Sequence, residues 1–309
     1  MRFFNVAGPC RPGLHYMLPA SERLRADNIM RLIEQQNYFV LHAPRQVGKT
    51  TAVIELAREL TATGKWTAAK VSMEVGRGLG SDLDRAERTM LADWRGSLEH
   101  QLPAELRPPP WPTAEAGQRI GAALQAWSSH SSRPLVVFLD EIDALEDDVL
   151  LSVLRQLRSG YDRRPSGFPA SLAVVGLRDI LDYKVMSGGS ARLGTPSPFN
   201  IAARSLTLRN FTESEVATLL QQHTAESVQV FEPAALQHVF TLTQGQPWLV
   251  NALAKTAVED VEPDVQKNIT VEHIEQAKEL VIARRHLQLK QLTHKLTTGD
   301  FQSLSAKSP

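Results

Sequence analysis

Cysteine is nearly missing from this sequence. Its 309 residues hold one, Cys10, so no disulfide can close within the chain, and the cytoplasm is the expected compartment. Net charge is missing as well. Lys plus Arg and Asp plus Glu number 34 each, which removes the broad positive field that draws proteins to nucleic acid or anionic lipid and leaves only local basic patches. Long apolar runs are absent: the longest, Leu135 to Leu139, has the length of a strand, far below the ~20 residues of a spanning helix, so no membrane span is expected. The opening MRFFNVAGPC is too weakly apolar for a secretion signal and places Pro9 directly before Cys10, so it reads as mature chain. There are no internal repeats. Apolar residues nonetheless make up 42% of the chain, enough for a sizeable core in one large domain or two modest ones.

Hydrophobic spacing then divides the chain. Tyr38 to His42 is β-rich, Thr50 to Leu60 carries apolar residues at helical spacing, and Lys65 to Met73 alternates like a second strand. Residues 82–102 read as a helix, and the prolines of PAELRPPPWP (103–112) exclude both helix interior and central strand, giving a surface connection. A helix from Thr113 or Glu115 to about Ser129 follows. The run before Asp140 and SLAVVG (171–176) suit strands buried on both faces of a parallel sheet, Val149 to Leu157 is helical between them, and a short strand spans Ser205 to Leu208. Alternation ends near Arg209. Beyond it Thr212 and Glu215 form a capping box, and further helices begin near Glu232, Pro247 and Thr270. The expected organisation is an N-terminal segment (1–36), an α/β domain (37–209), a helical domain (210–296) and a disordered tail (297–309).

The chemistry concentrates in LHAPRQVGKTT (41–51). A phosphate site needs converging backbone N–H groups, a helix N-terminus, a cation, and a hydroxyl for Mg²⁺. Gly48 lets the backbone approach, Lys49 can reach the β- and γ-phosphates, and Thr50 can ligate Mg²⁺; the candidate nucleotide-binding segment is Ala43, Pro44, Arg45, Gln46, Val47, Gly48, Lys49, Thr50 and Thr51. Ala43 stands where the usual pattern has its first glycine. Pro44 pushes it toward extended dihedrals, where a methyl group costs little; only a positive φ would strain it. About ninety residues on, an apolar strand ends in Asp140-Glu141. Asp140 there would hold Mg²⁺ through its water shell and Glu141 would orient the attacking water, against the plainer reading that DEID begins a helix. Asp143 reads as helix-start chemistry.

Between these motifs there is room for an extra strand and two helices, a spacing similar to that of AAA+ and related ATPases, which carry a catalytic glutamate beside the aspartate. Such enzymes keep a γ-phosphate-sensing residue after the fourth strand, which makes Arg178 of GLRD a candidate; its alternative is a surface ion pair with Asp179 or Asp182. Taken together, AGP…HYMLP, YFVLHAPRQVGKTT, FLDEIDAL, GLRDILDYK, SPFNI and GQPWLVNALA resemble a bacterial family of AAA+-like, STAND-type P-loop ATPases over residues 3 to about 290.

The resemblance implies an AAA+-like parallel five-stranded sheet with helices on both faces and a helical lid, using ATP and Mg²⁺. It makes Ala43 a normal variant and assigns Pro247 of Gly245-Gln246-Pro247 to a lid motif near the nucleotide, against the reading of a simple helix corner. It implies ATP hydrolysis, with Glu141, Lys49 and Arg178 as catalytic residues, and a nucleotide-dependent change between sheet domain and lid. It also implies a protein partner it does not identify, possible self-assembly, and relatives that continue past Ile274 to Leu292 into a further module. An arginine from a neighbouring subunit could come from Arg155, Arg158, Arg163 or Arg164; His15 and Tyr16 could line an adenine pocket or be buried structurally. Arg284, Arg285, Lys290 and Lys295 could touch nucleic acid or form a solvated helix face. A slow ATP/ADP binding switch and a DNA-associated ATPase are the alternative functions.

Overall fold

Strands buried on both faces need cover on both faces, and the chain alternates strand and helix to supply it. The computed structural model describes residues 2–25, 28–79, 82–177, 179 and 201–298. The chain parts into two units, Pro19–Arg209 and Met1–Leu18 with Asn210–Pro309.

In the first unit, α1 (Ala20–Arg25) and α2 (Ile29–Glu34) precede β1 (Tyr38–His42), α3 (Lys49–Ala62) and β2 (Thr67–Ser72). Then come α4 (Leu83–Gln101), α5 (Arg119–His130), β3 (Leu135–Asp140), α6 (Asp147–Gly160), β4 (Ser171–Gly176) and β5 (Ala202–Thr207). The five strands lie in the order β2-β3-β4-β1-β5, all parallel, with Ser72 opposite Asp140 and His42 opposite Gly176. β3 and β4 are buried throughout. One face packs under α4, α5 and α6 with Trp94, Trp127 and Phe168; the other packs under α1 to α3 with Leu56, Phe138 and Val175. β2 lies at an edge, and the Gln101 amide acts as a partial neighbour strand, donating to Lys70 O at 2.8 Å and accepting from Lys70 N at 3.0 Å.

Two expectations change here. The helix expected from Thr113 or Glu115 begins at Arg119, because Gly117 turns to a φ of 82° and gives its N–H to the buried Glu87 carboxylate at 2.7 Å. The proline-rich connection is packed rather than merely superficial: Leu106 is buried, and the Trp111 indole donates to Leu91 O at 2.9 Å.

The second unit holds α7 (Glu213–Ser227), α8 (Pro233–Thr243), α9 (Pro247–Thr256) and α10 (Val271–Thr298). The Thr212 and Glu215 capping box is formed, with reciprocal bonds of 3.3 and 2.7 Å. The N-terminal segment expected as one piece over residues 1–36 is divided at Leu18/Pro19. Its first part joins the helical unit because Phe4 and Tyr16 are buried there, with ring contacts among them, His223 and Phe231, and the Trp248 indole donates to Val6 O at 2.9 Å. The expected tail lies outside the described residues from position 299 onward. Among the described residues no helix is long and apolar enough to cross a membrane.

Candidate functional site

Where β1 ends, the backbone continues for one residue before it turns. Ala43 donates its N–H to Gly176 O at 3.3 Å, is fully buried, and is not among the residues with positive φ. Its methyl group therefore meets none of the strain that a left-handed position would impose. The turn is made further on, by Gln46 at φ 64° and Gly48 at φ 86°, which deliver the chain to the first turn of α3. Among the described residues, the N–H groups of Val47, Gly48, Lys49 and Thr50 have no protein acceptor. They form a row of backbone donors at the positive end of a 14-residue helix.

Lys49 folds back across this loop. Its ammonium donates to Ala43 O at 2.6 Å and Pro44 O at 2.9 Å. Burial lowers its pKa, opposed by the carboxylates of Asp140, Asp143 and Glu141 and reinforced by the like charge of Arg45. Thr50 Oγ1 donates to Asp140 Oδ2 at 2.8 Å, joining two motifs ninety positions apart. Asp140 is 1% exposed, and burial raises its pKa despite the bond from Thr50 and the nearby charge of Lys70.

Glu141 sits at φ 61°, beyond the end of β3. Its carboxylate accepts from Ser72 Oγ at 2.5 Å, the residue paired with Asp140 on the neighbouring strand. Neither carboxylate begins a long helix, since α6 starts only at Asp147. Asp143, read as helix-start chemistry, stands in the first turn of a short 3₁₀ helix (Ile142–Ala144) and also accepts from the Leu177 N–H just past β4.

Other residues fall elsewhere. Arg178 lies outside the described residues. Pro247 opens α9 in the helical unit behind the Gln246 cap, and Gly245 before it has φ 68°, where an added Cβ would stand 1.9 Å from Phe211 O. His15 and Tyr16 are buried within that same unit, with His15 Nδ1 accepting from Arg11 N at 2.9 Å. Arg164 is occupied by Tyr161 O at 2.7 Å and stacks 3.5 Å from the Tyr161 ring. Arg155 and Arg158 are exposed and, among the described residues, without a partner.

Sequence reasoning missed Arg23. It is 3% exposed and donates to Val47 O at 3.0 Å and Arg209 O at 2.9 Å, so it ties the loop to the segment following β5. Ser72 was missed too; a polar residue ending an apolar strand beside the DE pair was its available signal.

No protein-family model matches the sequence, and no curated protein matches it. Solved structures do. The Walker-type ATPase paby2304 of Pyrococcus abyssi superposes with a TM-score of 0.59 at 12% identity, covering 94% of this chain and 79% of that one. Cdc6p from Pyrobaculum aerophilum gives 0.58 at 14% identity, covering 88% and 70%. The ORC1 protein of Aeropyrum pernix in complex with DNA gives 0.54 at 16% identity, covering 87% and 68%. The fold is an AAA+-like P-loop NTPase fold.

The P-loop fits a phosphate chain on its own geometry. Unaccepted N–H groups, a helix N-terminus and one ammonium converge, and a side chain at Gly48 would intrude, its Cβ standing 3.0 Å from Arg23 Nη2. The donor set also fits Mg²⁺. Thr50 and Asp140 offer two hard oxygens, and among the described residues no cluster of three or more His, Cys, Asp or Glu could cage a metal by itself. Magnesium characteristically takes one or two protein oxygens and completes its shell with water and phosphate.

Proposed function

We propose that the chain binds ATP with Mg²⁺ and hydrolyses it, and that nucleotide state changes its engagement with a protein partner or with further copies of itself. The observation that carries this reading is the 2.8 Å bond from Thr50 to Asp140, which brings the loop and the strand-end carboxylates into one site. The residues of the P-loop, Ala43 to Thr51, hold the phosphates, with the N–H groups of Val47 to Thr50 as donors. Bound Mg²⁺, held by Thr50 and through water by Asp140, would neutralise charge developing on the phosphates. Lys49 exchanges its two carbonyl partners for phosphate oxygens. Glu141 orients a water for in-line attack on the terminal phosphorus; the bond to the β-phosphate oxygen breaks, releasing ADP and inorganic phosphate. Because Ser72 holds that carboxylate in the free protein, water activation requires Glu141 to turn from the serine. Arg178 as a phosphate sensor and Pro247 as a lid contact belong to the same reading.

Turnover of the wild type is to be measured beside Glu141→Gln and Lys49→Ala. Hydrolysis as the function predicts that the glutamine variant keeps ATP binding and loses at least about a hundredfold in turnover, and that the alanine variant loses both. Tight ATP binding with negligible wild-type turnover would instead favour a slow binding switch. A DNA-associated ATPase draws on the likeness to an ORC1 protein bound to DNA. Titration with duplex DNA at two salt concentrations decides it, since binding that does not respond to salt lacks the phosphate contacts this role requires.

A further inference from the structure

Arg23 is buried, and a guanidinium taken out of water needs acceptors to offset its lost hydration. Its Nη1 finds two backbone carbonyls, Val47 O at 3.0 Å and Arg209 O at 2.9 Å. Its Nη2 lies against the next residue of the P-loop, since a Cβ built on Gly48 would stand 3.0 Å from it. The guanidinium therefore backs two consecutive loop residues from one side. A trans peptide points its C=O and the following N–H in opposite directions, and the Val47–Gly48 peptide is trans. With the Val47 carbonyl turned to Arg23, the Gly48 N–H is turned away from it, and that N–H has no protein acceptor among the described residues.

The Val47 side chain is fixed in the core, but Gly48 at φ 86° has no Cβ, so the peptide between them can turn over by rotation about Val47 ψ and Gly48 φ. Turned over, it would present a carbonyl oxygen where a phosphate oxygen has to lie. Given the ATP reading above, on which this step rests, we propose that Arg23 is a positioning residue for phosphate binding: it holds the Val47–Gly48 peptide with its N–H toward the phosphate chain, without touching the nucleotide. Backbone N–H groups of such a loop cradle the α- and β-phosphates, which ATP and ADP share, so both nucleotides depend on it. Arg23 is itself placed by α1, which is fastened to α3 independently of the guanidinium: Ser21 N donates to Glu55 Oε2 at 3.1 Å and Ser21 Oγ to Glu59 Oε1 at 2.7 Å. The two anchors can therefore be tested apart.

Calorimetric titration of the wild type, Arg23→Met, Arg23→Lys and Ser21→Ala with ATP and with ADP, each with Mg²⁺, tests this. Arg23→Met keeps the aliphatic stem and removes the donors; it should weaken ATP and ADP alike, by about tenfold or more. Arg23→Lys, whose ammonium can still reach a carbonyl, should recover at least about threefold of that loss. Ser21→Ala loosens α1 without touching the loop and should stay within about twofold of the wild type. In turnover, KM for ATP should rise in Arg23→Met in step with Kd while kcat falls by less than about threefold, whereas a merely destabilised protein loses active molecules and shows a lower kcat at the wild-type KM. Should the methionine protein be unfolded by circular dichroism, Arg23→Gln, whose amide ends two atoms short of the guanidinium, takes its place with the same expectation. Unchanged affinity in the folded variant overturns the assignment while leaving the ATP reading intact, as does a lysine protein that recovers nothing, a loss in kcat alone, or an equal loss in Ser21→Ala. A wild type that binds neither nucleotide overturns both.

Discussion

Two corners of this molecule are built from the same punctuation, glycine and proline ahead of a helix, and they behave in opposite ways. At Gly245-Gln246-Pro247 the corner closes on itself. Gly245 N donates to Thr243 Oγ1 at 3.2 Å, the Gln246 side chain accepts from Leu249 N at 2.7 Å, Asn251 Nδ2 donates to Pro247 O at 2.8 Å, and Gly245 O accepts from Phe211 N at 2.9 Å. At Ala43 to Thr50 the corner stays open: backbone donors have no protein acceptor among the described residues, an ammonium is buried on carbonyls, and Asp140 is buried with its pKa raised. A corner that pairs its backbone groups within itself keeps its shape without a ligand, even with Asn251 Oδ1 buried and, among the described residues, unbonded. One that leaves donors unpaired and buries charge at a cost to stability points to a ligand.

The sharpest way to break that contrast is to place a side chain on each glycine. Gly245→Ala should unfold the helical unit: a positive φ of 68° costs about 1–2 kcal/mol, and a Cβ at 1.9 Å from Phe211 O demands backbone movement, so a loss of at least about 3 kcal/mol is expected in denaturant titration. Gly48→Val should cost the backbone term of about 1–2 kcal/mol, since the nearest atom is the mobile end of Arg23 at 3.0 Å, yet remove ATP binding altogether. A Gly245→Ala protein that melts like the wild type, or a Gly48→Val protein that retains ATP, erases the distinction.

Charge provides the next test. A carboxylate whose folded pKa is raised binds its proton more tightly in the folded state, so its ionisation destabilises, and stability falls as pH rises from the ordinary carboxylate range through the raised folded value. Asp140→Asn removes that penalty while keeping an acceptor for Thr50. Ligand-free Asp140→Asn should therefore be more stable at pH 7 by about 1 kcal/mol, a rise of roughly 2–4 °C in melting temperature, and the gain should vanish in acid. Lys49 has the reverse sign. Its lowered pKa penalises the protonated form, so that part of the cost shrinks as pH rises through the depressed value. A melting curve for Asp140→Asn that tracks the wild type at every pH would mean that the open corner is not strained by its charge.

Removing one hydroxyl separates holding from catalysis. Ser72→Ala frees the Glu141 carboxylate from its 2.5 Å donor, and turnover should rise by up to about tenfold, the worth of one bond to a charged group. A fall in turnover would make Ser72 a positioning residue for the working enzyme.

How far the sequence could anticipate these features depended on how local their causes were. β3 was legible because five consecutive apolar residues admit few alternatives, and the Thr212 cap because its partner lies three residues away. The P-loop and Asp140-Glu141 were legible because their spacing and flanking elements agreed. The start of α5 was not, since Glu87, thirty residues earlier in the chain, decides where Gly117 turns. Arg23 and the division at Leu18 were hidden for the same reason: Val47 O, Arg209 O, His223 and Phe231 are partners that only the folded chain brings within reach.

The smallest expected effect concerns Ala43, the residue that breaks the usual P-loop pattern. Its N–H extends the β1/β4 ladder to Gly176 O at 3.3 Å, its φ is not positive, and its methyl packs among Leu41, Val47 and Ala52. Glycine there would bring no conformational relief, because no strain exists to relieve. It would lose one buried methyl and add freedom to the unfolded chain, together about 1 kcal/mol of stability. The donors from Val47 to Thr50 and the shape set by Gln46 and Gly48 would remain, so ATP affinity for Ala43→Gly should stay within about threefold of the wild type while melting falls slightly. A gain in affinity beyond that would mean that alanine restrains the loop, and the open corner would then owe part of its character to a residue that here reads as the last member of a strand.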